Sequence, residues 1–345
     1  MNDIKLGDSI GIIGSDVLNI DLIIFLRSHG LRVNLYDETN SDNVAKYVDY
    51  YQHGSIDSFE TLNDFIDKSD CVIYNSELIN ANFIRKNDKF IQESKILDFI
   101  QDRVIAKTLF KQLNINTAPY VTVLNDDDLK QGIKEIGFPA VLRPIQKNAT
   151  FAKEFVLRNV DDLLHANKLL KLGTFILEAY LDNKKEYATI VSKGKRCFQI
   201  SPIIDEGTNE NDNPLFSLNT NLTSEIFEEL QSIARKLALS INYVGPFIIY
   251  TYIGPNDLIY LDHLSIKLNS SINLFDDLVF ENYLRGILDA KLVPYRFDNH
   301  DKKLCEIDSS NRKNVFKQYL QDENTKLHFY QDNRFSLNGY FLKNN

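Results

Sequence analysis

The most restrictive feature of the sequence is its first apolar run, Ile10-Gly11-Ile12-Ile13, which lies between Ser9 and Gly14-Ser15 and predicts a buried strand. A helical pattern follows from about Ile20 to Ser28 and closes at His29-Gly30. Leu31-Arg32-Val33-Asn34-Leu35 then alternates apolar and polar residues, the pattern of a half-buried strand. Two strands joined through a helix form a parallel βαβ unit. A further apolar strand, Cys71-Val72-Ile73-Tyr74, precedes a helical stretch from Gln101 to Leu113, and Ala118-Pro119 breaks the pattern before Tyr120-Val121-Thr122-Val123.

These signals put a domain boundary near residue 100. Beyond it, Pro139 to Arg143, Phe155 to Leu157 and Phe175 to Glu178 read as short strands, while Ile226, Leu230, Ile233, Ala234 and Leu237 share one face of a core-facing helix. Val244 to Tyr252 and Leu258 to Leu264 read as a strand pair at the centre of a second sheet, joined by the turn residues Gly254-Pro255-Asn256-Asp257. The tail mixes a polar helix with a last strand, Leu327-His328-Phe329-Tyr330. The division that follows is residues 1–100, residues 101–295 and a small C-terminal subdomain at 296–345.

A chain of 345 residues has room for two or three packed subdomains. No apolar run approaches the roughly 18–20 residues of a membrane span, so no membrane partner is expected. The opening residues lack the basic, apolar and small-residue regions of a signal peptide, which makes cytoplasm the expected location. Cys71, Cys197 and Cys305 are far apart and form no CxxC pair, so they suggest neither a disulfide framework nor zinc. Net charge is −9 with scattered basic residues, which argues against nucleic acid. Only 14 glycines are present, few for a nucleotide enzyme built on phosphate-cradling loops. Gly11 and Gly14 do not complete a GxGxxG dinucleotide fingerprint.

Several stretches, in unbroken order, carry a family resemblance. They are Gln101-Asp102-Arg103 with Lys107, Thr117-Ala118-Pro119, Gly137 to Leu142, Glu178 followed eight residues later by Glu186, and Val244-Gly245. In these the chain resembles the 5-(carboxyamino)imidazole ribonucleotide synthases, ATP-grasp carboxylases of purine biosynthesis. The resemblance implies an α/β ATP-grasp fold with an N-terminal, Rossmann-like parallel-sheet domain, a flexible lid at about 120–180 within the ATP-grasp domain, and a small C-terminal subdomain. It implies ATP and magnesium as cofactors, bicarbonate and aminoimidazole ribonucleotide as substrates, and a homodimer. The site residues it implies are Arg103, Arg143 and Lys153 for the phosphates, Glu178 at the adenine hinge, Glu186 for the ribose hydroxyls, Glu77 on the substrate side, and Asp262 as a metal ligand.

The same comparison of residues shows what has gone. The family's Gly-Gly-Tyr-Asp-Gly-Lys-Gly loop falls on Lys147-Asn148-Ala149-Thr150-Phe151-Ala152-Lys153, which contains no glycine, and Glu154 adds a negative charge beside it. The acids that hold magnesium fall on Tyr250 and His263, with Asp262 next door. The turn expected at the substrate phosphate reads Gly14-Ser15-Asp16-Val17-Leu18-Asn19, with an acid in it. Chemistry has diverged further than architecture, so the reading is a carboxylase homologue with weak or lost activity. The alternatives are a ligase with another acceptor and a non-catalytic regulatory paralogue.

Overall fold

The computed structural model describes residues 4–14, 16–40, 42–147, 154–182, 184–208, 213–218, 220–296, 302–330 and 337–344. The chain divides into two compact units, residues 1–95, 187–249 and 265–345 in the first and residues 96–186 and 250–264 in the second.

In the first unit, β1 (Ser9–Ile13), α1 (Asn19–Ser28), β2 (Arg32–Asp37), α2 (Asp42–Ala45), β3 (Tyr50–His53), α3 (Phe59–Asp67), β4 (Cys71–Tyr74) and α4 (Ala81–Arg85) form a parallel sheet in the order β3-β2-β1-β4. Strands β1 and β4 are buried throughout, as expected for a parallel strand covered on both faces. The half-buried reading of the second strand is corrected: β2 is buried at every residue after Arg32. Asn34 is accommodated because its Nδ2 donates to Lys68 O and Ser69 Oγ, both at 2.9 Å, so the polar side chain is paired rather than solvated.

The strand order reverses between β1 and β4, the crevice at which open α/β sheets receive ligands. Gly14, directly after β1, lies at the carboxyl end of that strand with φ +124°, and a Cβ there would meet Ser76 N at 2.8 Å, so no other residue fits without a shift.

The second unit opens with α5 (Lys95–Gln101) and α6 (Arg103–Gln112). Asp102 starts α6 by accepting hydrogen bonds from Val104 N and Ile105 N, each at 2.9 Å. β5 (Tyr120–Val123), α7 (Asp126–Ile136), β6 (Ala140–Pro144), β7 (Phe155–Leu157), α8 (Leu163–Leu169) and β8 (Phe175–Ala179) follow. The strands form an antiparallel sheet in the order β5-β8-β6-β7. Helix α7 is capped by Asn125, carries Asp126, Asp127 and Asp128 against the positive end of its dipole, and seats Leu129 on the sheet. Val123, Leu142, Leu157, Phe175 and Leu177 make the core beneath.

Next along the chain are β9 (Lys185–Lys193), β10 (Phe198–Ile200), β11 (Ile204–Thr208), β12 (Pro214–Ser217), α9 (Ser224–Ser240), β13 (Gly245–Ile253), β14 (Ile259–Ser265), α10 (Leu278–Ile287), β15 (Lys302–Ile307), α11 (Arg312–Gln321), β16 (Thr325–Phe329) and β17 (Gly339–Asn344). Helix α9 buries Leu230, Ile233, Ala234 and Leu237 as its spacing predicts, with Ala238 in addition, whereas Ile226 near its start is only partly buried. β14 and β13 stand at one end of the strand order β14-β13-β9-β11-β12-β15-β17-β16, not at the centre as expected. The reason is that β15 to β17 extend the opposite end through β12, where Leu215, Phe216 and Ser217 pair with Cys305, Leu304 and Lys303.

Candidate functional site

In the second unit, Arg103 and Lys107 are one helical turn apart on α6 and therefore share a face. Arg103 Nε donates to Pro144 O at 3.0 Å and Arg103 N donates to Ile145 O at 3.0 Å, which fastens the start of α6 to the end of β6. On the sheet, Glu178 of β8 lies opposite Val141 of β6, so Arg143, two residues on, projects from the same face on the diagonal. Asp262 comes from β14. Alternation along that strand would send it away from His263, yet both side chains line the same cavity with Arg103, Lys107, Arg143 and Glu178.

The side chains are locked in ion pairs. Lys107 Nζ meets Glu178 Oε1 at 2.7 Å, with each side chain 5% exposed, and also lies 4.9 Å from the centre of the Tyr120 ring. Arg143 Nη1 donates to Asp262 Oδ1 at 3.0 Å and to Glu178 Oε2 at 3.4 Å. Glu154 bridges the two arginines, with Oε1 accepting from Arg103 Nη2 at 3.1 Å and Oε2 standing 3.3 Å from Arg143 Nε. The pairs thus join Arg103, Lys107 and Arg143 to Glu154, Glu178 and Asp262, three charges of each sign. The cavity among them measures about 20 Å³, room for about one water.

Burial alone would raise the Asp262 pKa, but the hydrogen bond from His263, and then the charges of His263, Arg143 and Lys184, hold it well below the ordinary carboxylate range. Burial likewise disfavours the charged form of Arg143, and Asp262, Glu178 and Glu154 more than offset it. Arg103 is the opposite case: burial lowers its pKa, and Glu154 offsets that only in part.

These contacts decide how magnesium would fare. Asp262 Oδ1 accepts from Arg143 and its Oδ2 lies 2.8 Å from His263 Nδ1, while the His263 ring stacks on Tyr250 at 4.4 Å. Among the described residues no group of three or more His, Cys, Asp or Glu side chains is arranged to hold a metal ion. A hard cation needs several free oxygens, so the described residues do not fit a magnesium site.

Glu186 is half exposed and pairs with Lys184 Nζ at 2.8 Å. Lys153 lies outside the described residues, as do Asn148 to Ala152 of the same loop. Glu77 belongs to the first unit, where it accepts from Ser265 Oγ at 2.5 Å and Ile266 N at 3.2 Å. In the same unit, Asp16 Oδ1 accepts from Leu18 N at 2.8 Å, at the N-terminus of α1. Asp16 Oδ2 is buried and has no hydrogen-bond partner among the described residues, and burial pushes the carboxyl up to about 6. Lys107 carries part of the resemblance without an expected site role, although its one-turn spacing from Arg103 signals a shared face. His263 enters the sequence reading only at the position of a lost magnesium acid, which does not mark it as lining a cavity with Arg103 and Arg143.

Residues 108–269 match the ATP-grasp domain family. The N5-carboxyaminoimidazole ribonucleotide synthase of Staphylococcus epidermidis (strain RP62A) is 26% identical over 298 residues, 84% of this chain and 79% of that protein. A crystal structure of the ADP complex of an N5-carboxyaminoimidazole ribonucleotide synthetase superposes with a TM-score of 0.88 at 22% identity, covering 100% of this chain and 94% of that one. The Aspergillus clavatus synthase, crystallised with ADP and 5-aminoimidazole ribonucleotide, gives a TM-score of 0.84 at 18% identity, covering 99% and 94%. The α/β architecture is therefore that expected from the resemblance: residues 108–269 carry an ATP-grasp domain, and the chain has the fold of the N5-carboxyaminoimidazole ribonucleotide synthases.

Proposed function

We propose that this chain is a homologue of the ATP-dependent carboxylases of purine biosynthesis that retains a nucleotide site and has weak or no activity on aminoimidazole ribonucleotide. In this reading Arg103 and Arg143, with Lys153 from the loop, receive the phosphates. Glu178 stands at the adenine hinge, Glu186 meets the ribose, and Glu77 belongs to the acceptor side. When bound, ATP would supply the phosphoryl group that activates bicarbonate. The protein's part is to hold the phosphate chain by positive charge in a place shielded from water.

The observation that carries the reading is the state of the cation cluster. Arg103, Lys107 and Arg143 are charged and convergent, which suits a phosphate chain, but their charge is spent on Glu154, Glu178 and Asp262. Carboxylates that would hold magnesium elsewhere are here engaged with arginine and histidine. Binding without efficient turnover follows.

Thermal unfolding with and without magnesium and ATP tests it, because a ligand at about one hundred times its dissociation constant adds roughly 2.7 kcal/mol of stability. Stabilisation at millimolar ATP, with ADP release on aminoimidazole ribonucleotide and bicarbonate near background, is expected. Robust turnover would overturn the claim of weak activity, and no stabilisation would overturn the nucleotide site.

Asp16 favours a second reading, an active ligase with another acceptor. Its carboxylate already occupies the N-terminus of α1, a position suited to a phosphate. A phosphorylated acceptor there would meet negative charge, so ADP release with an unphosphorylated amine would favour this alternative.

A further inference from the structure

We infer that Glu154 is a specificity-determining residue of the nucleotide site: its carboxylate stands in for a phosphate between Arg103 and Arg143 and must be displaced before a phosphate chain can bind. The inference rests on the nucleotide reading proposed above. It goes further by naming the group that sets affinity and the part of the ligand that group acts on.

Two guanidinium groups within reach of one carboxylate are an anion receptor, since each presents planar N–H donors to oxygen. In this chain the receptor is satisfied internally. Glu154 gives one oxygen to each arginine, at 3.1 Å to Arg103 and 3.3 Å to Arg143. The two arginine side chains are 19% and 13% exposed, whereas Glu154 is 46% exposed. The receptor is thus set into the protein, and the anion sits at its mouth.

The two contacts also differ in quality. Arg103 Nη2 makes a hydrogen bond to Oε1, but Arg143 Nε, buried, has no hydrogen-bond partner among the described residues despite its nearness to Oε2. A donor left unmet beside a solvent-accessible carboxylate is one that a better-placed oxygen can take. Phosphate offers three oxygens where the carboxylate offers two. Lys107 and Arg143 Nη1 are bound to the buried Glu178 and Asp262, so Glu154 is the acid at this cluster whose departure uncovers cationic donors without burying a new charge.

Competition of this kind acts on the phosphate chain alone, which gives it a signature that general loosening of the site would not produce. Isothermal titration of the full-length protein with ATP, ADP and adenosine, for wild type, Glu154→Gln and the exposed α7 control Glu135→Gln, reads it out. For Glu154→Gln the dissociation constants for ATP and ADP should fall at least tenfold, the one for adenosine should stay within about twofold, and Glu135→Gln should match wild type throughout.

Equal affinities of wild type and Glu154→Gln for ATP would overturn the role of Glu154 and leave the nucleotide site standing. A gain shared by adenosine or reproduced by Glu135→Gln would overturn it too, in favour of loosened structure or net charge. Absence of binding by every variant at millimolar ATP would overturn both this inference and the nucleotide reading beneath it.

Discussion

At the scale of single residues, the pair Lys107 and Glu178 carries the greatest electrostatic stake. Both side chains are nearly sealed from water, and removing one partner leaves the other charged in a poorly solvating place. Lys107→Met is expected to cost about 3–5 kcal/mol in denaturant unfolding, while Lys107→Met combined with Glu178→Leu should cost much less, because no uncompensated charge then remains. A single-variant loss below about 1 kcal/mol would mean that water reaches the pair.

Asp16 makes the opposite case. Its folded pKa of about 6 exceeds the model-compound value of 3.8, so folding favours the protonated form. The sign follows: the group is harmless to stability below about pH 3.8 and becomes a penalty as pH rises through about 6. The shift corresponds to a penalty of up to roughly 3 kcal/mol at high pH. Asp16→Asn keeps an oxygen for Leu18 N, and it should stabilise the protein by about 1–2 kcal/mol at pH 8 and by little at pH 4. Stability curves for both forms at the two pH values check this, and a gain independent of pH would point away from titration of Asp16.

At the scale of elements, the second unit depends on how closely α7 approaches its sheet. A Cβ at Gly132 would stand 2.7 Å from Val121 Cγ2 and 3.1 Å from Leu177 Cδ2, so the glycine lets the helix settle onto β5 and β8. Glycine normally costs a helix about 1 kcal/mol relative to alanine, and here close packing outweighs that propensity. Gly132→Val should destabilise by about 1–3 kcal/mol through overpacking, measurable as a fall in the thermal midpoint. An unchanged midpoint would show that the helix can lift without loss.

Much of this level is legible in the sequence. Cys71 to Tyr74, Tyr120 to Val123 and Phe155 to Leu157 are strands where their apolar runs place them. The exception, β2, misleads because Asn34 reads as a solvent-facing residue until its partners, Lys68 O and Ser69 Oγ, are brought from more than thirty positions away.

At the scale of the molecule, local pattern and motif order determined the α/β class, the parallel first sheet and the positions of most strands. Hydrophobic periodicity is a property of neighbouring residues and needs no tertiary information. The sequence alone also named Arg103, Arg143, Glu178 and Asp262, but as a row of separate expectations. Only the tertiary structure decided that Arg143 faces Asp262, 119 positions away, and that Lys107 closes on Glu178, 71 positions away. It likewise decided that residues 250–264 return to the unit built by residues 96–186, and that β14 ends its sheet's strand order. The physical reason is that charge pairing and burial depend on distance in space, where a carboxylate meets an arginine, a metal or water, and nothing in the identity of Asp262 states which of these it will be.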